Sequence, residues 1–141
     1  MAAKKKYGIR LDAPPDHAVL AIASHEKIYR LAWRLNQTFG AALTATDPYT
    51  VKRKDEELSF PLFRWYDELK MVTWHLMANR SAEGYFLPSL RNVDFFLLLA
   101  PAPEDASVHE IITSLRQIDL VITAFSIDLS QYRSLRDLVL E

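Results

Sequence analysis

The residues that could perform acid–base or metal chemistry are scattered along this 141-residue chain. The four histidines, His17, His25, His75 and His109, show no HExxH or other metal-ligand spacing. The absence of cysteine excludes a thiol nucleophile, a disulfide and a Cys-ligated zinc site. Glycines stand only at positions 8, 40 and 84, too far apart for a P-loop or a GxGxxG loop. The sequence therefore predicts no catalytic residue, no metal site and no cofactor.

Two carboxylates differ from the others because they lie in or beside apolar segments. These are Asp94 and Asp128, and a buried carboxylate needs a partner. Four arginines are candidate partners: Arg30, Arg34, Arg91 and Arg133. We expect a structural ion pair or a backbone cap at each carboxylate, in preference to catalysis.

Aromatic residues between positions 60 and 86 give the strongest functional signal. They are Phe60, Phe63, Trp65, Tyr66, Trp74, Tyr85 and Phe86. Strand alternation places Phe60 with Leu62 on one face and Phe63 with Trp65 on the other, so neither face is polar. Such a sheet must be covered on both faces, by the chain itself or by a partner. We predict a homodimer in preference to a ligand groove.

The segment SHEKIYRLAWRLN predicts a helix from His25 to Phe39, with Ser24 as its N-cap and Gly40 after its end. Ile28, Leu31, Ala32, Leu35 and Phe39 form its core stripe. Tyr29 and Trp33, four residues apart, lie at the edge of this stripe beside Asn36. This edge is expected to line an interface or a site.

The other patterns predict a single α+β domain over residues 1–141, with a mobile basic tail at residues 1–6. Its mostly antiparallel sheet should have about five or six strands, with two main helices on one face. The segment Val93–Ile127 has the length of a β-α-β unit, which would add one parallel strand pair. The segment Ala18–Ala23 is apolar but too short to assign. The remaining predicted strands are Tyr7–Leu11, Leu58–Tyr66, Met71–Ala78, Val93–Leu99 and Val121–Ile127, and the second helix is Glu104–Gln117.

Three segments resemble the IPExxxVDY family, a small group of bacterial proteins without an assigned activity. They are SHEKIYRLAWRLN, LMANRSAEGYFLPSLRNVDFFLLL and VITAFSIDLSQYRSLRDLVL. The chain departs from the family pattern at Glu83, where a second glycine is expected. It also has Asp119-Leu120 where the Pro-Glu of the naming motif would fall. The resemblance therefore implies a divergent member from a bacterium, and it supplies no catalytic residue.

These observations favour a cytoplasmic, non-enzymatic interaction module that acts as a homodimer. One alternative is an anionic-ligand domain or enzyme, with a pocket near Tyr29, Trp33 and His75. Another is a binder of single-stranded nucleic acid that uses Arg64, Trp65, Lys70 and Arg80. A net charge of −1 gives no general attraction to polyanions. The longest apolar run, Phe95–Pro103, is too short to span a membrane. The candidate ligand or interface residues are Tyr29, Arg30, Trp33, Asn36, Phe63, Trp65, Trp74, His75 and Tyr85.

Overall fold

The computed structural model describes residues 16–140, so the predicted tail at 1–6 and the predicted strand Tyr7–Leu11 lie outside the described residues. The strands are β1 Ala18–Ala23, β2 Thr44–Ala45, β3 Tyr49–Arg53, β4 Glu56–Phe60, β5 Leu62–Asp67, β6 Val72–Ala78, β7 Phe95–Ala100 and β8 Thr123–Ser126. Six of them form one sheet in the order β2-β5-β6-β7-β1-β8, and β3 pairs with β4 in a separate hairpin. The α+β prediction with a mostly antiparallel sheet is confirmed.

Both main helices pack on the same face of the six-stranded sheet, as predicted. They are α1, Ile28–Phe39, and α2, Asp105–Arg116; a short helix α3, Arg133–Arg136, follows near the end. Their buried residues, including Leu35 of α1 and Leu115 of α2, join Leu97 of β7 in one core cluster. Within residues 16–140, no helix is long and apolar enough to cross a lipid bilayer.

The start of α1 differs from the prediction. Lys27 is the N-cap residue and makes no side-chain capping bond. The Ser24 hydroxyl accepts from the N–H of Glu26 at 3.2 Å, before the helix begins, and donates to the carbonyl of Leu120 at 2.7 Å. The second bond ties the end of β1 to the segment after α2. The predicted end is confirmed: Gly40 adopts the left-handed conformation with φ 64°, which glycine enters without a Cβ clash.

The opposite face of the sheet is covered by the same chain. Leu58 and Phe60 of the β3–β4 hairpin pack with Met77 and Phe96 of the central strands, and Leu135 of α3 joins the same cluster. All five side chains are buried. The sheet therefore has no bare aromatic face in its centre, which was the reason for predicting a partner subunit there.

Two details of strand pairing also differ from the sequence prediction. The predicted parallel pair is absent, because β1 lies between β7 and β8 and is antiparallel to both. The strands β7 and β8 are thus joined through α2 as in a β-α-β unit, but β1 lies between them in the sheet. The predicted strand Leu58–Tyr66 is divided at Pro61 into β4 and β5, which belong to different sheets. Proline has no backbone N–H to continue a strand ladder, which accounts for the division.

Candidate functional site

The residues predicted at the edge of the α1 core stripe separate into an exposed pair and a residue with a structural role. Tyr29 and Trp33 are 60% and 59% exposed, and we call this pair the α1 patch. Arg30 lies beside them and forms an ion pair with Glu26 at 3.6 Å. Asn36 has a structural role, since its side chain accepts from the N–H of Leu43 at 2.8 Å and donates to the Leu43 carbonyl at 3.2 Å.

His75 lies on the other side of the sheet from α1. Side chains alternate along β6, so Trp74 joins the helix-side core while His75, 3% exposed, points to the hairpin side. The predicted pocket of Tyr29, Trp33 and His75 is therefore not formed. On β5, Arg64 is the register partner of His75, and its buried Nε has no hydrogen-bond partner among the described residues.

The residues proposed for nucleic-acid binding are separated as well. Arg64 and Trp65 are consecutive on β5 and therefore face opposite sides of the sheet. Arg53 donates to the carbonyls of Tyr85 and Phe86, each at 2.6 Å. Of the four proposed residues, only Trp65 and Lys70 line a common cavity, whereas Arg80 is paired with Asp94.

Asp94 and Asp128 have structural partners, as predicted. Asp94 accepts from the N–H of Ser24 at 2.8 Å and pairs with Arg80 at 3.4 Å, so its partner is none of the four arginines named from the sequence. The exposed Asp128 accepts from the hydroxyl of Ser130 at 2.7 Å and from its N–H at 3.1 Å. These bonds lower the pKa of the Asp128 carboxyl.

The loop between β6 and β7 depends on a buried residue that the sequence patterns did not single out. The Asn79 side chain donates to the carbonyls of Leu90 and Val93 at 2.9 and 2.8 Å, and accepts from the N–H of Leu87 at 2.8 Å. Tyr85 of the same loop is half-buried, with the Arg91 guanidinium 5.9 Å from its ring centroid. These contacts hold the loop in place, so the role of Asn79 and Tyr85 here is structural.

A cavity of about 600 Å³ opens on the helix side of the sheet, at the β5–β6 end. We call it the tryptophan cavity. Three parts of the chain meet there: the end of α1, the β5–β6 hairpin, and the approach to α2 with its first turns. Its lining is Phe39, Gly40, Trp65, Asp67, Leu69, Lys70, Val72, Trp74, Pro103, Glu104, Ser107, Glu110 and Ile111. Of the predicted site residues it contains Trp65 and Trp74, whereas half-buried Phe63 packs against the helix-side core.

Three aromatic rings form the wall of the tryptophan cavity. Trp65 and Trp74 are directly opposed in the β5–β6 register, and their rings meet edge to face with centroids 5.3 Å apart. Phe39 makes a second edge-to-face contact with Trp74, also at 5.3 Å. Such contacts are favourable beyond the area they bury, so they fix the ring positions. The wall is therefore preformed by packing within the protein.

Charged groups surround this wall. Asp67 ends β5, Glu104 precedes α2 and Glu110 lies further along α2, while Lys70 lies in the hairpin turn. The Asp67 carboxylate accepts from the N–H groups of Leu69 and Lys70 at 3.1 and 3.3 Å, which fixes it at the turn. The cavity thus combines an apolar wall with a predominantly acidic rim.

A second, more open depression of about 430 Å³ lies beside His25, Arg80 and Asp94. Its arginine and aspartate are already paired with each other. Within residues 16–140, no group of three or more His, Asp or Glu side chains could hold a metal ion. The tryptophan cavity is therefore the better candidate for ligand binding.

No protein-family model matches the chain, and no characterised protein matches it significantly.

Proposed function

We propose that the protein is a non-enzymatic binding module and that the tryptophan cavity is its ligand site. The observation that carries this proposal is an accessible space of about 600 Å³ against three aromatic rings, with Trp74 in contact with both Trp65 and Phe39. Small-molecule sites in proteins are typically clefts of about 300–1,000 Å³ with apolar walls and a few polar groups. The tryptophan cavity has this size and this composition.

The energetics of packing support the same interpretation. Protein interiors are close-packed, and aromatic surface left beside a gap loses contacts that a tighter fold would provide. The exposed fraction of Trp74 is only 6%, so its ring is firmly held, yet it still borders the cavity. A preformed apolar wall of this kind lowers the conformational cost of binding, because few side chains must be ordered by the ligand.

The experiment uses benzyl alcohol as a neutral aromatic probe and follows the indole N–H signals of the three tryptophans by NMR. We expect concentration-dependent shifts at Trp65 and Trp74 and none at Trp33. Ser107→Phe should abolish these shifts, since residue 107 lines the cavity and the larger side chain would fill it. Ala106→Phe is the matched control, because Ala106 is exposed on the same helix and does not line the cavity.

Two results would contradict the proposal. One is the absence of any probe-dependent shift at Trp65 and Trp74. The other is unchanged probe binding in Ser107→Phe, which would place the bound probe elsewhere.

The remaining parts of the proposal come from the sequence. We propose a bacterial, cytoplasmic protein that is a divergent member of the IPExxxVDY family and functions as a homodimer. Because the central sheet is covered by its own chain, a second copy would pack on the α1 patch, where Tyr29 and Trp33 are both exposed.

A further inference from the structure

The rim of the tryptophan cavity has an uneven charge. Three carboxylates, Asp67, Glu104 and Glu110, share the lining with a single cation, Lys70. Within residues 16–140 none of these carboxylates belongs to an ion pair. Glu104 and Glu110 are exposed, whereas Asp67 is half-buried at the end of β5. The rim therefore carries negative charge that the described residues do not neutralise directly.

The helix dipole at the start of α2 does not offset the negative charge of the rim. The first N–H groups of a helix carry partial positive charge and can attract an anion. Here Glu104 is the N-cap residue and Asp105 lies in the first turn. Their carboxylates already complement the helix dipole, so an added anion would meet like charge at the same place.

The wall of the cavity, like its rim, favours a positively charged ligand. The faces of tryptophan and phenylalanine rings attract cations through the ring quadrupole, with tryptophan the strongest of the side chains. Trp65, Trp74 and Phe39 together also offer apolar contact area. A ligand with a positive group and an apolar body would use both the rim and the wall.

We infer that the tryptophan cavity binds a small organic cation, such as a substituted amine or quaternary ammonium compound with an apolar group. This inference rests on the proposed function, since it specifies the ligand class for the same site. A purely anionic ligand is disfavoured by Asp67, Glu104 and Glu110, and a neutral one would gain nothing from them.

Three probes of similar size and different charge test the inference: benzyltrimethylammonium, benzyl alcohol and benzoate. Each is titrated into the full chain while the indole N–H signals of Trp65 and Trp74 are followed by NMR. We expect the cation to bind at least about tenfold more tightly than benzoate, with benzyl alcohol between them. Raising the salt concentration should weaken the cation's binding, because exposed carboxylates are screened by salt.

The double substitution Glu104→Gln with Glu110→Gln should lower the affinity for the cation severalfold and leave benzyl alcohol binding nearly unchanged. The matched control is Glu57→Gln with Glu83→Gln, which removes the same charge from exposed positions outside the cavity lining. This control should retain the wild-type preference for the cation.

The possible failures are distinguishable. Equal binding of all three probes at Trp65 and Trp74 would overturn the cation preference and leave the ligand site in place. Tighter binding of benzoate would do the same. If no probe shifts either tryptophan signal, both the ligand site and its preference are overturned.

Discussion

The α1 patch and the tryptophan cavity are built from the same kinds of side chain and have different surroundings. Tyr29 and Trp33 project from one face of a helix, and more than half of each side chain is exposed. Trp65 and Trp74 lie on paired strands, Phe39 packs against Trp74, and α2 closes one side. The patch is exposed on a single helix, whereas the cavity has walls from three parts of the chain.

This difference shows that aromatic composition alone does not determine which kind of partner a surface can bind. A pair of aromatic side chains four residues apart on a helix can associate with a flat partner surface. A small ligand gains more where several walls contact it at once and bury most of its surface. The α1 patch is accordingly suited to a second protein chain and the tryptophan cavity to a small molecule.

The largest expected contrast between the two regions is in folding stability. Trp74→Ala should lower the free energy of unfolding by about 3–5 kcal/mol, because it removes a buried ring and its contacts with Phe39 and Trp65. Trp33→Ala should change it by no more than about 0.5 kcal/mol. Urea unfolding followed by circular dichroism measures both. Similar losses in the two variants would show that the regions are equally packed.

A smaller effect is expected at Asn36, which lies between the two regions on α1. Asn36→Ala removes both side-chain bonds to the Leu43 backbone and should cost about 1–2 kcal/mol of unfolding free energy. The adjacent exposed Gln37→Ala serves as the control and should cost almost nothing. The same urea titration compares them. If Asn36→Ala is as stable as Gln37→Ala, Asn36 belongs with the exposed patch and has no structural role.

The smallest effect on stability, and the clearest effect on association, is expected from Tyr29→Ser combined with Trp33→Ser. Sedimentation equilibrium should show a dimer for the wild type and a monomer for this variant. Monomer stability should change little, since both side chains are mostly exposed.

Leu69→Ser with Met71→Ser is the control for general loss of surface hydrophobicity, since both residues are exposed outside α1. It should remain dimeric. A monomeric wild type at high protein concentration would contradict the homodimer, and a dimeric Tyr29→Ser/Trp33→Ser variant would place its interface elsewhere.

Local patterns predicted much of the fold because burial follows side-chain periodicity. The stripe of Leu31, Ala32 and Leu35 is buried as expected, and Trp74 and His75 take opposite faces of β6. The apolar run at β7 is buried on both faces. The predicted helix start at Ser24 was wrong, since α1 begins at Ile28. The bond from the Ser24 hydroxyl to the Leu120 carbonyl joins residues too distant in sequence for a local pattern to identify.

The candidate site was only partly predictable for the same reason. Trp65 and Trp74 were identified as site candidates, but their common cavity also needs Phe39 from one segment and Glu104 from another. The pairing of Asp94 with Arg80 likewise depends on how the loop after β6 folds back. Nothing in the spacing of these residues along the chain indicates that they meet.

The sequence by itself determined the buried stripe of α1, the two faces of β6, the burial of β7, where α1 ends, and that the domain is α+β. These properties depend on interactions within a few residues, such as the alternation of side chains or the left-handed conformation of Gly40. Only the tertiary structure decided that β1 separates β7 from β8, that the hairpin covers one sheet face, and that three segments enclose a cavity. Those outcomes depend on contacts between residues far apart in the chain, where many arrangements satisfy the same local pattern.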